Sequence, residues 1–281
     1  MSHSVRMIRG VLIWLLCAAT SVAAEVRKAV PFSALPGAVQ RTIQKHAGNV
    51  VPGEIECVED DGEVTFETAI TSGGRQRDIT VGEDGSLLSI EVNFAETPAA
   101  VQRSVRAQVG TGALVSVEKI FDGGDTSYDV AMTTKDGQER AFTVEENGTI
   151  SSLEVALAET PAAVQKTVTA QVGAGKLDSI TKVFDEGITY EVEMTAADGK
   201  EREFSVGAEG KLLSIRVTLE ETNADVQKTI KEQIGSGRLV RIDKSFVKKN
   251  KVEPYEVEAF KDGKPFYFSV GPKGRFLGVE D

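Results

Sequence analysis

Histidine and cysteine are nearly absent: the 281 residues hold two of each. His3 and Cys17 fall in the first 24 residues, which leaves His46 and Cys57. A structural zinc site needs four such ligands, so none is expected. Nucleophilic catalysis needs a base beside the nucleophile. His46 and Cys57 are the only candidates for a Cys–His pair, and they belong to different elements of one copy of a repeat. No enzyme activity and no cofactor are expected. An internal disulfide is excluded by the count. In an oxidising compartment Cys57 is either an intermolecular disulfide partner or an inert half-buried thiol.

Positive charge is also in short supply. Lysine and arginine total 32 against 43 acids, a formal net charge of −11. Such a chain repels phosphate backbones, so nucleic acid is not an expected partner. Beyond the N-terminus no stretch approaches the ~20 apolar residues of a membrane-spanning helix, so no membrane insertion is expected once the leader is gone.

Residues 1–24 read as that leader. Arg6 and Arg9 form a basic start, residues 10–19 an apolar run, and Val22-Ala23-Ala24 places small residues before Glu25. The rival reading is an uncleaved anchor. Cleavage places the mature chain in the periplasm or the medium.

What the chain does contain is one motif four times. Leu35-Pro-Gly-Ala-Val-Gln40 recurs as Thr97-Pro-Ala-Ala-Val-Gln102, Thr160-Pro-Ala-Ala-Val-Gln165 and Thr222-Asn-Ala-Asp-Val-Gln227. The glutamines stand 62, 63 and 62 residues apart. Thr97 and Thr160 suit helix N-caps, with Pro98 and Pro161 in the first turn. Val101, Val105 and Val109 form one helical stripe, and Gly110, Gly173 and Gly235 suit helix stops. Period-two alternation follows, with turns at Asp136-Gly137, Asp198-Gly199 and Asp262-Gly263. The expected fold class is α+β: four tandem repeats, each one helix packed on a four-stranded antiparallel meander sheet, with the joining of adjacent sheets left open. The boundaries are 1–24 for the signal peptide, then 31–93, 94–156, 157–219 and 220–281.

Other patterns are weaker. Gly110-Thr-Gly112 and its counterparts leave a helix, whereas phosphate loops lead into one. Asp122, Asp125 and Asp129 do not have the spacing of a helix–loop–helix calcium loop. Glu191/Glu193 and Glu256/Glu258 alternate with core residues and so point to the open sheet face, where simple solvation is expected.

Copy four departs from the rest. Residues 220–281 carry +1, whereas residues 25–219 carry −14. Lys248, Lys249 and Lys251 cluster between its first two strands. Phe266 stands where Arg77, Arg140 and Arg202 stand elsewhere, and Tyr267 is expected on the open face. Terminal repeats are often atypical because one neighbour is missing. The alternative is a partner-binding patch of Tyr267, Phe266, Lys248, Lys249 and Lys251, since exposed tyrosine beside positive charge favours interfaces.

Taken together, the helix motif, Tyr190 to Glu193, Asp198 to Glu201 and the Gly210 to Ile215 strand resemble PepSY and PepSY-like domains of exported bacterial proteins. The resemblance covers the chain from Pro31 onward. It departs at Phe66, in place of the strand tyrosine, and at Asn223, in place of the helix proline. That family includes propeptides of thermolysin-like metallopeptidases, and beta-lactamase-inhibitor-like units are similar in fold. The resemblance implies a non-enzymatic protein-binding module, inhibitory to a peptidase or other envelope enzyme, with another exported protein as partner. It transfers no catalytic residue. The alternative function is an acidic spacer or scaffold of the envelope without a single ligand.

N-terminal sequencing of the exported protein tests the leader: the mature chain is expected to begin at Glu25, and a start at Met1 would mean an anchor instead.

Overall fold

A computed structural model describes residues 26–48, 52–60, 63–248, 252–261 and 264–280. The signal-peptide expectation and the Asp262-Gly263 turn lie outside these. The chain divides into two compact units, one running to Leu153 and the other from Glu154.

The first unit opens with β1 (Val26–Val30) and holds α1 (Gly37–Ala47), β2 (Ile55–Asp60), β3 (Glu63–Ser72), β4 (Arg75–Gly82) and β5 (Leu87–Glu91). Copy two follows as α2 (Ala99–Val109), β6 (Ala113–Asp122), β7 (Asp125–Thr133), β8 (Glu139–Glu145) and β9 (Ile150–Glu154). In the second unit, copy three is α3 (Ala162–Val172), β10 (Lys176–Phe184), β11 (Ile188–Thr195), β12 (Glu201–Gly207) and β13 (Leu212–Arg216). Copy four is α4 (Ala224–Ile234), β14 (Arg238–Ser245), β15 (Tyr255–Lys261), β16 (Lys264–Val270) and β17 (Phe276–Val279).

The expectation of one four-stranded sheet per copy is overturned. Within each unit the strands of its two copies join into one antiparallel meander sheet. In the first unit β5 pairs with β6, Ile90 opposite Lys119 and Glu91 opposite Glu118. In the second, β13 pairs with β14 in the same way, Ile215 opposite Lys244 and Arg216 opposite Asp243. The reason is physical. A separate four-stranded sheet leaves two edges of unpaired N–H and C=O groups, and joining copies satisfies them.

The sequence reading also missed β1. It pairs with β2, Lys28 opposite Cys57, where β5 places Ile90 opposite Lys119. Lys28 and Ile90 are 62 residues apart, one repeat length. β1 therefore occupies the place of a fourth strand from a preceding copy. Four of its five residues are exposed, so it has no alternating apolar signature.

Each copy keeps its own core under its own helix. In copy two, Val101 and Val105 of α2 pack on Val117, Tyr128, Val130, Met132, Phe142 and Val144, all buried. Burying a side chain of this kind contributes about 2 kcal/mol. Copies one, three and four repeat the arrangement around Ile43, Val168 and Ile230.

The recurrent glutamine secures the helix entry. Gln40, Gln102, Gln165 and Gln227 donate Nε2–H to the carbonyls of Leu35, Thr97, Thr160 and Thr222 at 2.8–2.9 Å. The N-cap expectation is corrected here. Pro98 and Pro161 are the caps, with no side-chain bond. Thr97 and Thr160 sit one residue earlier, buried, and donate their hydroxyls to Phe94 and Leu157 carbonyls at 2.8 Å. In copy four the missing proline is replaced by a true cap: Asn223 Oδ1 accepts from the Asp225 and Val226 amides.

A second clasp holds each helix to the turn before the fourth strand. Thr42, Ser104, Thr167 and Thr229 donate their hydroxyls to the carbonyls of Gly85, Gly148, Gly210 and Gly274 at 2.5–2.6 Å. The turn backbone presses on the helix so closely that a Cβ on Gly148 would lie 2.9 Å from the Ala100 carbonyl oxygen. Gly148 also has φ +90.

Gly148→Ala is therefore expected to cost at least ~2 kcal/mol from strain and overlap together. Gly137→Ala, in a turn with φ +79 and open space, is expected to cost about 1 kcal/mol. Urea unfolding of the two variants measures the difference; equal losses would mean the turn does not bear on the helix.

Candidate binding surface

Side chains opposite the helices form a polar lattice rather than a merely solvated face. In the first unit, Glu56 stands opposite Glu67 and Glu118 opposite Asp129. Like charges directly opposite are unfavourable, and the chain answers in two ways. Arg27 of β1 donates to both Glu56 and Glu67, at 2.9 and 2.7 Å. At Asp129, Thr143 donates its hydroxyl at 2.8 Å and receives one from Ser152 at 2.9 Å. Burial pushes the carboxyls of Glu118 and Asp129 above their ordinary range.

The corresponding face of the second unit mixes both signs. Arg241 bridges Asp243 at 3.3 Å and Glu258 at 3.1 Å. Arg216 pairs with Glu203 at 2.6 Å and approaches Asp243 at 3.7 Å across the β13–β14 joint. Ser179 donates to Glu193 at 2.9 Å. Glu191 is the least satisfied member: its buried Oε2 has no hydrogen-bond partner. Burial and then the nearby Glu203 push its carboxyl up to about 7, against the opposing pull of Arg241.

Tyr267 belongs to this face. It stands opposite Glu258 and is half-buried. Phe266 lies on the other side of β16, opposite Ala259. Its ring packs on Phe268 at 5.1 Å and carries Lys261 at 5.3 Å, at the margin of the copy-four core. The structure therefore separates the two aromatic candidates. Lys248 is exposed, four residues beyond Lys244, which ends the β14–β15 ladder opposite Tyr255. Lys249 and Lys251 lie outside the described residues. Arg77 and Arg202, at the positions equivalent to Phe266, reach forward to Glu96 and Glu221 of the next copy, each at 2.7 Å.

Cys57 is half-buried and packs against the copy-one core, beside β1. Its counterparts Lys119, Lys182 and Lys244 extend over Phe121, Phe184 and Phe246 at 4.9, 4.7 and 5.3 Å. Among the described residues no group of three or more His, Cys, Asp or Glu side chains is placed to hold a metal. Sequence reasoning missed the Arg27, Arg216 and Arg241 bridges. Period two assigns a residue to a face but not to a partner across strands.

No protein-family model and no curated protein matches the chain. Solved structures that it resembles include a proposed periplasmic protein of the DUF2874 family from Bacteroides vulgatus, at 17% identity and TM-score 0.30, covering 45% of this chain and 95% of that one. Another is a proposed calcium-regulated periplasmic protein from Bacteroides thetaiotaomicron, at 19% identity and TM-score 0.31, with the same coverages. A third is a proposed periplasmic protein from Bacteroides eggerthii, at 16% identity and TM-score 0.32, covering 41% and 85%. The comparisons identify no PepSY family. Among the described residues no helix is long and apolar enough to cross a membrane.

The pH dependence of stability follows from Glu191. Its folded pKa lies above the ordinary 4.5, so its share of stability is present below that value and is lost as pH rises through about 7. Between pH 5 and 8 the wild type is expected to lose roughly 2 kcal/mol relative to Glu191→Gln. Urea midpoints of both proteins at the two pH values check this; parallel profiles would show Glu191 charged at no cost.

Proposed function

We propose that this chain is an exported, non-enzymatic protein-binding module whose contact surface lies in copy four. The observation that carries the reading is Tyr267. At the equivalent position of the third strand, the other copies place Asp78, Ala141 and Glu203. A tyrosine there sets a large amphipathic ring on a face otherwise made of ion pairs, and such residues anchor interfaces. The exposed Lys248, with Lys249 and Lys251, would supply attraction for an acidic rim of the partner. The PepSY resemblance extends the reading to inhibition of a peptidase or another envelope enzyme. No catalytic pairing of His46 and Cys57, which belong to α1 and β2, is part of this reading.

The spacer reading also has an observation in its favour. The Arg77–Glu96 and Arg202–Glu221 bridges tie each strand to the next copy's helix entry. The Arg77 guanidinium holds the Glu96 carboxyl down at about 2, so this bridge persists through mild acid. Successive copies bound in this way suit a stiff support.

Affinity capture separates the readings. The mature chain is immobilised beside a variant with Tyr267→Ala and Lys248, Lys249 and Lys251 changed to glutamate. Envelope extract is passed over both. One retained protein lost from the variant, and inhibited when it is an enzyme, is the expected result. Equal retention on both columns would remove the copy-four surface from the proposal.

A further inference from the structure

The fourth strand of an internal copy has pairing partners on both sides, whereas among the described residues β17 is a fourth strand with one, β16. Its inner ladder repeats that of β13. Phe268 stands opposite Val279 and Val270 opposite Phe276, as Phe204 stands opposite Ile215 and Val206 opposite Leu212. Both ladders carry the same bulge, with one extra residue on the fourth strand, Leu277 in β17 and Leu213 in β13. Among the described residues the outer side of β17 carries no strand. The apolar side chains show the difference: Leu212, Leu213 and Ile215 are half-buried, whereas Phe276, Leu277 and Val279 are 38%, 38% and 58% exposed.

The internal joints specify what that side accepts. Opposite β13, the Leu213 carbonyl accepts from Phe246 N–H at 2.7 Å, and Val217 N–H donates to the Ile242 carbonyl at 2.9 Å. Odd-numbered residues of β13 thus face the next copy, and the matching residues of β17 are Leu277 and Val279. Glu280 N–H is turned inward, to the Tyr267 carbonyl. The incoming strands share a pattern: Val117-x-Lys119-x-Phe121, Ile180-x-Lys182-x-Phe184 and Ile242-x-Lys244-x-Phe246. The lysine stands opposite the apolar core-facing residue, Ile90 or Ile215, and its amine is drawn over the phenylalanine two residues on. Copy one, whose first strand is covered by β1, has Ile55-x-Cys57-x-Glu59 instead.

We propose that the outer edge of β17 is an acceptor for one added β-strand from a partner protein, an extended segment with a β-branched residue, a lysine and a phenylalanine at alternate positions. Strand addition to an open edge supplies backbone hydrogen bonds, and alternate side chains supply the choice of segment. The occupant is not a second copy: this chain's own segments of that pattern are already paired in the sheet. The edge at the other end differs in chemistry. β1 presents Arg27 and Lys28 among its exposed residues, and charge of this kind guards an edge against pairing. β17 carries no charge between Phe276 and Val279. The inference goes beyond the reading above, because it concerns the strand edge and stands whether or not the open face binds.

The probe is a labelled synthetic peptide of residues 113–122, ALVSVEKIFD, added to the full-length mature protein. Its net charge is −1, so attraction to an acidic chain does not come from charge. Saturable binding by fluorescence anisotropy is expected. Val279→Pro removes an outward N–H without touching the ladder to β16, a position where proline is tolerated on an edge. It should weaken binding roughly tenfold or more and leave the circular dichroism unchanged. A peptide carrying K119E and F121E should bind as weakly. Hydrogen exchange of the wild type adds a reading that needs no variant: the Val279 amide should gain protection when the peptide is present. No saturable binding, equal binding by a folded Val279→Pro protein, or an unprotected Val279 amide would each overturn the proposal.

Discussion

Every strand in a sheet has two rows of backbone donors and acceptors, and a copy of four strands leaves its first and last strands with one row each unmet. The organisation of this chain follows from how those rows are met. Within each unit the fourth strand of one copy is laid against the first strand of the next. The short connection then runs through a 3-10 turn into the next helix, with the Glu96 or Glu221 carboxylate closing the turn on the Asn93 or Thr218 amide. The same carboxylates receive the arginine from the preceding copy. Backbone pairing and side-chain bridging therefore fall at the same joint, and each restrains the geometry that the other needs.

The two sides of the sheet obey different rules. Under the helices, burial is apolar and each core is closed by its own helix. On the far side the strands bring carboxylates face to face, and the repeat leaves no freedom to move them. Arginines, threonines and serines make that tolerable in part. Glu191 remains the position where compensation is incomplete. A charge lattice of this kind favours one register strongly, because a one-residue slip would drive Glu118 and Asp129 into the core and Val117 and Val130 into the lattice.

Much of this was legible in the residues. The spacing of Gln40, Gln102, Gln165 and Gln227 marked four helices, and Val101 and Val105 marked a buried stripe. What the residues did not reveal was pairing. Nothing in a period-two pattern distinguishes an edge strand from one that continues into a neighbour, so the residues left open whether adjacent sheets join. β1 was missed because its exposed positions are filled by charge and carry no alternation. Thr97 looked like a cap because hydroxyls are good caps; here it is buried one residue early, and its proton satisfies the preceding turn. The glutamine was legible as a repeat marker but not as a ligand of the Thr97 carbonyl. At the candidate surface, Tyr267 was assigned to the correct face by parity alone. Parity also set Phe266 on the opposite face; the service of Arg77 to the next copy was not legible in the residues.

The clasp between helix hydroxyl and turn carbonyl has a consequence for ancestry. Thr42, Ser104, Thr167 and Thr229 make the same bond within their own copy, so a copy carries its helix anchorage with it. The joint, too, is one object used more than once. A duplication of one whole copy would then add a finished part between two matching ends and open no new strand edge.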